Sequence, residues 1–310
     1  MIDVPCWNRG VFLLATALSV TSACTPPAVA VPASVPHPVS SPSLPAITPP
    51  AVARSPNVNP PAPHPFVYMP GVYRYEIRSE AVIASPSDSR VDSVLTRALI
   101  TLHIARSDTS VITIQGTVDT FTVSHSRSAT VGPSVMSEIP FTLTALVNGR
   151  LVEPVAVDTM AVCAVPANSI GFVARDWLAV MPVPLVPAVQ WADSSTVLAC
   201  SSALPVTARI ARRSVAAWVA IPAAWSRQPS DVGYQVSAAT TIMLSGQGHT
   251  AGRSLVLRGE GRGNQLLYVD PELGVMLGGT GNSSTRVVIE AGSQRQEFVQ
   301  TVSRQITLLR

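Results

Sequence analysis

Chemistry in this chain would have to reside in five histidines, four cysteines and one tight cluster of arginines. His37 and His64 lie in a proline-rich stretch, which leaves His103, His125 and His249 for a folded site. No pair of them has the spacing of H-E-x-x-H, by which one helix face presents two imidazoles to zinc. His103 alternates with apolar neighbours and is expected to face solvent, whereas His125 and His249 are expected in loops. The G-x-S-x-G nucleophile elbow does not occur in the sequence. Every basic residue is Arg, so lysine Schiff bases, phosphate-loop lysines and Ser–Lys dyads are excluded. Gly259-Glu260-Gly261-Arg262-Gly263 has the look of a phosphate loop, but a dinucleotide fingerprint needs a following helix to meet the phosphate. A strand is expected from Gln265 to Val269 instead, so this stretch reads as a turn or bulge. These residues imply no catalytic group, no metal and no cofactor; a Ser/His/Asp triad gathered from separate loops is the remaining enzymatic alternative.

Two cysteines, Cys163 and Cys200, lie beyond the N-terminal segment that holds Cys6 and Cys24. In an exported chain such a pair is expected to form a disulfide, contributing about 3–4 kcal/mol by the chain-entropy account. Two buried free thiols are the alternative. Arg209, Arg212 and Arg213 form the basic cluster, and it reads either as solvated surface or as a patch for an acidic partner or lipid headgroup. The net charge of +3 is too small and too scattered to suggest nucleic acid.

The N-terminal segment speaks of destination. Arg9 precedes an apolar run from Val11 to Val20, too short to span a bilayer comfortably as a helix. Thr21-Ser22-Ala23-Cys24 follows, and this resembles the lipobox of bacterial lipoproteins, with Thr21 where that family carries an aliphatic residue. The resemblance implies that Cys24 becomes the acylated first residue of the mature chain. The same small residues also suit ordinary signal-peptide cleavage. Residues 25–65 are dominated by Pro, Ala, Val and Ser, which favours extended polyproline II over helix or ladder. At about 3 Å per residue such a tether reaches on the order of 100 Å. The rival reading is a ligand lying along a partner's groove.

Folding is expected from Phe66 onward. Hydrophobic residues make up 47% of the chain but aromatics only 5%, so the core must be built of Val, Ile, Leu and Ala, which suits sheets. Val72 to Arg78 alternates, with Tyr73, Tyr75 and Ile77 on one face. Further strands are expected at Ala98–Ile104, Val111–Ile114 and Phe141–Val147, the last turning back through Asn148-Gly149 to Leu151-Val152. A helix is expected over Ile170–Met181, from the stripe of Ile170, Val173, Ala174, Trp177, Leu178 and Met181, ended by Pro182 and Pro184.

The last quarter of the chain, Tyr234 to Arg310, reads as strands punctuated by glycines. Gly246-Gln247-Gly248, Gly259 to Gly263, Asp270 to Gly274, Gly278-Gly279 and Gly292 are expected to be turns. In the final run Phe298, Val302, Ile306 and Leu308 share a face that Gln300 and Arg304 interrupt.

The fold expected is mainly β: an antiparallel meander, sandwich or curved half-barrel, with two similar modules as one option and a helix between them. The divisions are 1–24 signal, 25–65 tether, 66–157 first β module, 158–200 helical connector and 201–310 second β module. The function expected is a non-catalytic exported protein at the periplasmic or outer surface of a bacterial envelope. It would be lipid-anchored and dock as an accessory subunit on a membrane complex. The alternative is a periplasmic carrier that holds a lipid or other apolar ligand in its curved sheet.

Overall fold

The structure is a computed structural model, and it describes residues 66–86, 88–125, 134–136, 139–152, 178–201, 204–226, 231–250 and 253–309. The expected signal and tether, Cys163 and most of the expected helix lie outside these residues. The fold is all-β. The strands are β1 (Gly71–Ser85), β2 (Asp88–Arg106), β3 (Val111–His125), β4 (Ser134–Met136), β5 (Ile139–Leu146), β6 (Gln190–Ser201), β7 (Leu204–Ala220), β8 (Val232–Thr250), β9 (Arg253–Asp270), β10 (Val275–Ala291) and β11 (Gln294–Leu309).

All eleven strands join one antiparallel sheet, in the order β4-β3-β2-β1-β11-β10-β9-β8-β7-β6, with β5 also pairing β3. The two stretches read as separate modules are therefore sewn together where β1 meets β11, Arg74 opposite Leu309 through Ala84 opposite Val299. Several expected strands prove to be parts of longer ones. The expected strand Gln265–Val269 belongs to β9, which begins at Arg253, so Gly259 to Gly263 is mid-strand rather than a turn. Gly246 and Gly248 likewise sit within β8, and Gly278 and Gly279 within β10. The expected turns at Asp270–Gly274 and Gly292 are present, with Asp270 Oδ1 accepting from the Glu272 and Leu273 amides at 2.9 and 3.0 Å.

The sheet coils into a trough. Tyr68 N donates to the Val147 carbonyl and the next residue, Met69, donates to the Gly274 carbonyl, at 2.7 and 3.1 Å. Val147 follows β5 and Gly274 precedes β10, five steps apart in strand order. At about 4.8 Å per step a flat sheet would hold these ends about 24 Å apart, whereas adjacent Cα atoms are about 3.8 Å apart. Only a curled sheet brings both within reach of one dipeptide.

Alternation then sorts the side chains. Tyr75, Ile77, Ile100, Ile112, Ile114, Val236, Leu267 and Ile306 face the inside and are buried in one cluster. Arg74, Glu76 and Arg78 of β1 and Arg97 of β2 face outward, where Arg78 and Arg97 both pair with Glu76 and Arg74 pairs with Asp119 at 3.2 Å. A second inner cluster of Val206, Ile210, Leu244, Leu257, Val287 and Ile289 occupies the other end of the last strands.

Residues 178–189 cross the inside of the trough as an irregular strap. Of the expected helix, Leu178 to Met181 falls on described residues, and these have no helical structure. Leu178 and Met181 are nonetheless buried, so their spacing reports a buried face and not a helix. Among the described residues no helix occurs. The Asn148-Gly149 hairpin is present, but only Gly149 has positive φ, at 91°. Gly149 N donates to the Leu146 carbonyl and Leu146 N to that of Arg150, which makes a three-residue loop with glycine in the left-handed position rather than a two-residue turn.

Candidate interaction surfaces

Among the described residues, the expected site residues do not converge on one point. His103 is exposed on the outer face of β2, and His249 is exposed near the end of β8, within a strand instead of a loop. His125 is the last residue of β3. Cys200 lies in β6 opposite Pro205, while Cys163 lies outside the described residues, so the disulfide expectation has one partner placed. Among the described residues, no group of three or more His, Cys, Asp or Glu could hold a metal ion.

The arginine cluster is divided by the pleat. Consecutive residues of a strand point to opposite faces, so Arg209 and Arg213 of β7 are exposed outside while Arg212 is only 8% exposed inside. Arg212 Nη1 donates to Asp193 Oδ2 of β6 at 3.4 Å, the two residues being direct cross-strand partners. Burial pushes the Asp193 carboxyl above its ordinary range, and the Arg212 guanidinium pulls it back. Burial likewise raises the hydroxyls of Tyr68 and Tyr75, which act as hydrogen-bond donors to the Ala179 and Met276 carbonyls.

Among the described residues, two surfaces stand out where another molecule could bind. The first is the β6 edge. Among the described residues β6 pairs only with β7, and Gln190, Ala192 and Ser194 along it are exposed. A strand with one bare edge offers a row of backbone donors and acceptors to an incoming strand. The second is the inner face, which at its Tyr75 end is filled by its own side chains. Tyr75, Ile100, Ile104, Met276 and Ile306 leave a gap of about 30 Å³, room for roughly two waters and not for an acyl chain.

No family model matches the chain, and no curated protein matches it. Among solved structures, an outer membrane channel from Pseudomonas putida F1 is similar at 9% identity, covering 82% of this chain and 100% of that chain, with a TM-score of 0.24.

Sequence reasoning missed the β6 edge and the strap. The strap carries a signal in hindsight: Pro182 and Pro184 deny it a helix, while Leu178, Met181 and Leu185 are apolar and buried.

Proposed function

We propose that this protein is an exported, lipid-anchored, non-catalytic accessory subunit that docks on a membrane complex at the periplasmic side of a bacterial envelope. Export and anchoring rest on the apolar run before Thr21-Ser22-Ala23-Cys24, and residues 25–65 hold the sheet away from the bilayer. The observation that carries docking is the β6 edge, bare on one side among the described residues, at the end of a sheet whose inner face is filled at its Tyr75 end. An extended segment of an envelope protein adds there as a further strand, its backbone supplying the affinity. The carrier alternative requires apolar space that the Tyr75 end does not offer.

The test is native purification of the full chain from membranes, followed by identification of what accompanies it. A stoichiometric protein partner is the expected result. Recovery from the soluble fraction, or from membranes with lipid alone, contradicts the proposal.

A further inference from the structure

Halfway along the trough the inner face changes character. Between the two apolar clusters lies a cleft lined by Arg212 of β7, Thr240 of β8, Gln265 of β9, Ser283 of β10 and Arg304 of β11, with Gly263 and Gly281 also on its wall. Register explains the grouping. Arg212 stands opposite Thr240, which stands opposite Gly263, which stands opposite Ser283. In the adjacent row Ser214, Ala238, Gln265, Gly281 and Arg304 are successive partners. The two arginines thus stand four strands apart, and the coil of the sheet makes them walls of one cleft.

We infer that this cleft is a binding site for a phosphate group, free or carried on a small ester. Two guanidiniums, an amide and two hydroxyls supply donors from both walls and the floor, which suits a tetrahedral oxyanion. Asp193 pairs with Arg212, whereas Glu260, Glu290 and Glu297 of the intervening strands fall on the outer face by register. Asp193 also fixes the Arg212 head, so this donor is positioned before any ligand arrives. Gly281 keeps the room open: a β-carbon there would meet nothing nearer than 3.5 Å, so a larger side chain would project into the cleft. One row further along, Gln300 is 4% exposed on the same inner face, and its Nε2 has no hydrogen-bond partner among the described residues. That row includes Ile210 and Ile242, which line the cleft, so an uncommitted donor lies at its border.

The site is independent of docking at β6, and its test needs no partner. The purified full chain is titrated calorimetrically with inorganic phosphate and, separately, with dihexanoyl phosphatidic acid. Binding of either probe at one site is expected. Tighter binding of the ester identifies a lipid headgroup as the source of the phosphate, and equal binding identifies the free ion. Arg304→Gln should weaken binding about tenfold or more, the scale of one lost charge-assisted hydrogen bond. Gly281→Val, which keeps both charges and fills the space, should weaken it as well, and this variant decides the matter if Arg304→Gln does not fold. Absence of binding by both probes overturns the inference. So does unchanged affinity in a variant that retains the wild-type melting temperature.

Discussion

Asn148 and Met181 hold each other twice: Met181 N donates to the Asn148 carbonyl at 3.0 Å, and Asn148 Nδ2 donates to the Met181 carbonyl at 3.1 Å. The hairpin tip after β5 is thereby locked to the strap, which continues to Ala188, whose amide donates to the Ala216 carbonyl of β7 at 2.8 Å. Along the strand order β5 and β7 are eight steps apart, so this short crossing ties the two wings of the trough. Asn148→Ala removes the side-chain half of the lock. One such bond contributes about 1 kcal/mol, so the melting temperature should fall by about 2–4 °C for a domain of this size. Differential scanning calorimetry reads this directly, and an unchanged transition would show that the strap is held by other contacts.

The inner face tolerates no charge at its filled positions. Ile114 is 1% exposed and Leu257 3% exposed. Ile114→Asp or Leu257→Asp would place a carboxylate among aliphatic side chains, costing several kcal/mol against a total stability of about 5–15 kcal/mol. Each variant should fail to accumulate in cells, measured by quantitative blotting beside a His103→Ala control that accumulates normally.

How much of this was legible follows from where local pattern and tertiary demand agree. The alternation of Tyr73, Tyr75 and Ile77 foretold the inner face of β1, and that of Phe298, Val302, Ile306 and Leu308 foretold the inner face of β11. Gln300 and Arg304, which interrupt the second series, mark the polar zone of the same face. Arg212 was legible as a cluster member but not as an inward residue, because the pleat separates it from its neighbours only once the register is known. The glycines misled. Gly261 reads as turn chemistry, yet it lies in mid-strand because a β-carbon there would collide with the Thr285 hydroxyl of β10. That crowding arises between strands and leaves no local trace.

The outer face carries an acid-sensitive pair. Arg286 donates to both Glu297 oxygens at 2.7 Å across β10 and β11, and this contact holds the Glu297 carboxyl below its ordinary range. A lowered carboxyl contributes stability that is present above its unfolded value and lost as pH falls through the folded one. The stability gap between wild type and Glu297→Gln should therefore be widest above the ordinary carboxyl range and close as pH falls below it. Urea denaturation at a series of pH values reads the gap; a gap independent of pH would show that the pair does not titrate in this way.

The proposed anchor and tether are tested together. Mass spectrometry of the mature N-terminus should show Cys24 carrying acyl groups, and an unmodified Cys24 would refute the anchor. Deleting residues 25–65 should leave the melting temperature of the sheet unchanged, since the segment is proposed to bury little. A fall of several degrees would show that it packs against the folded part.

Docking at β6 is the central claim, and site-specific photocrosslinking in intact cells tests it most directly. A photoreactive residue at Ala192, exposed on β6, should give one dominant covalent adduct with an envelope protein. The same residue at Val72, 63% exposed on the outer face of β1 and six steps from β6 in strand order, should give none. No adduct at Ala192, or equal adducts at both positions, would contradict the account.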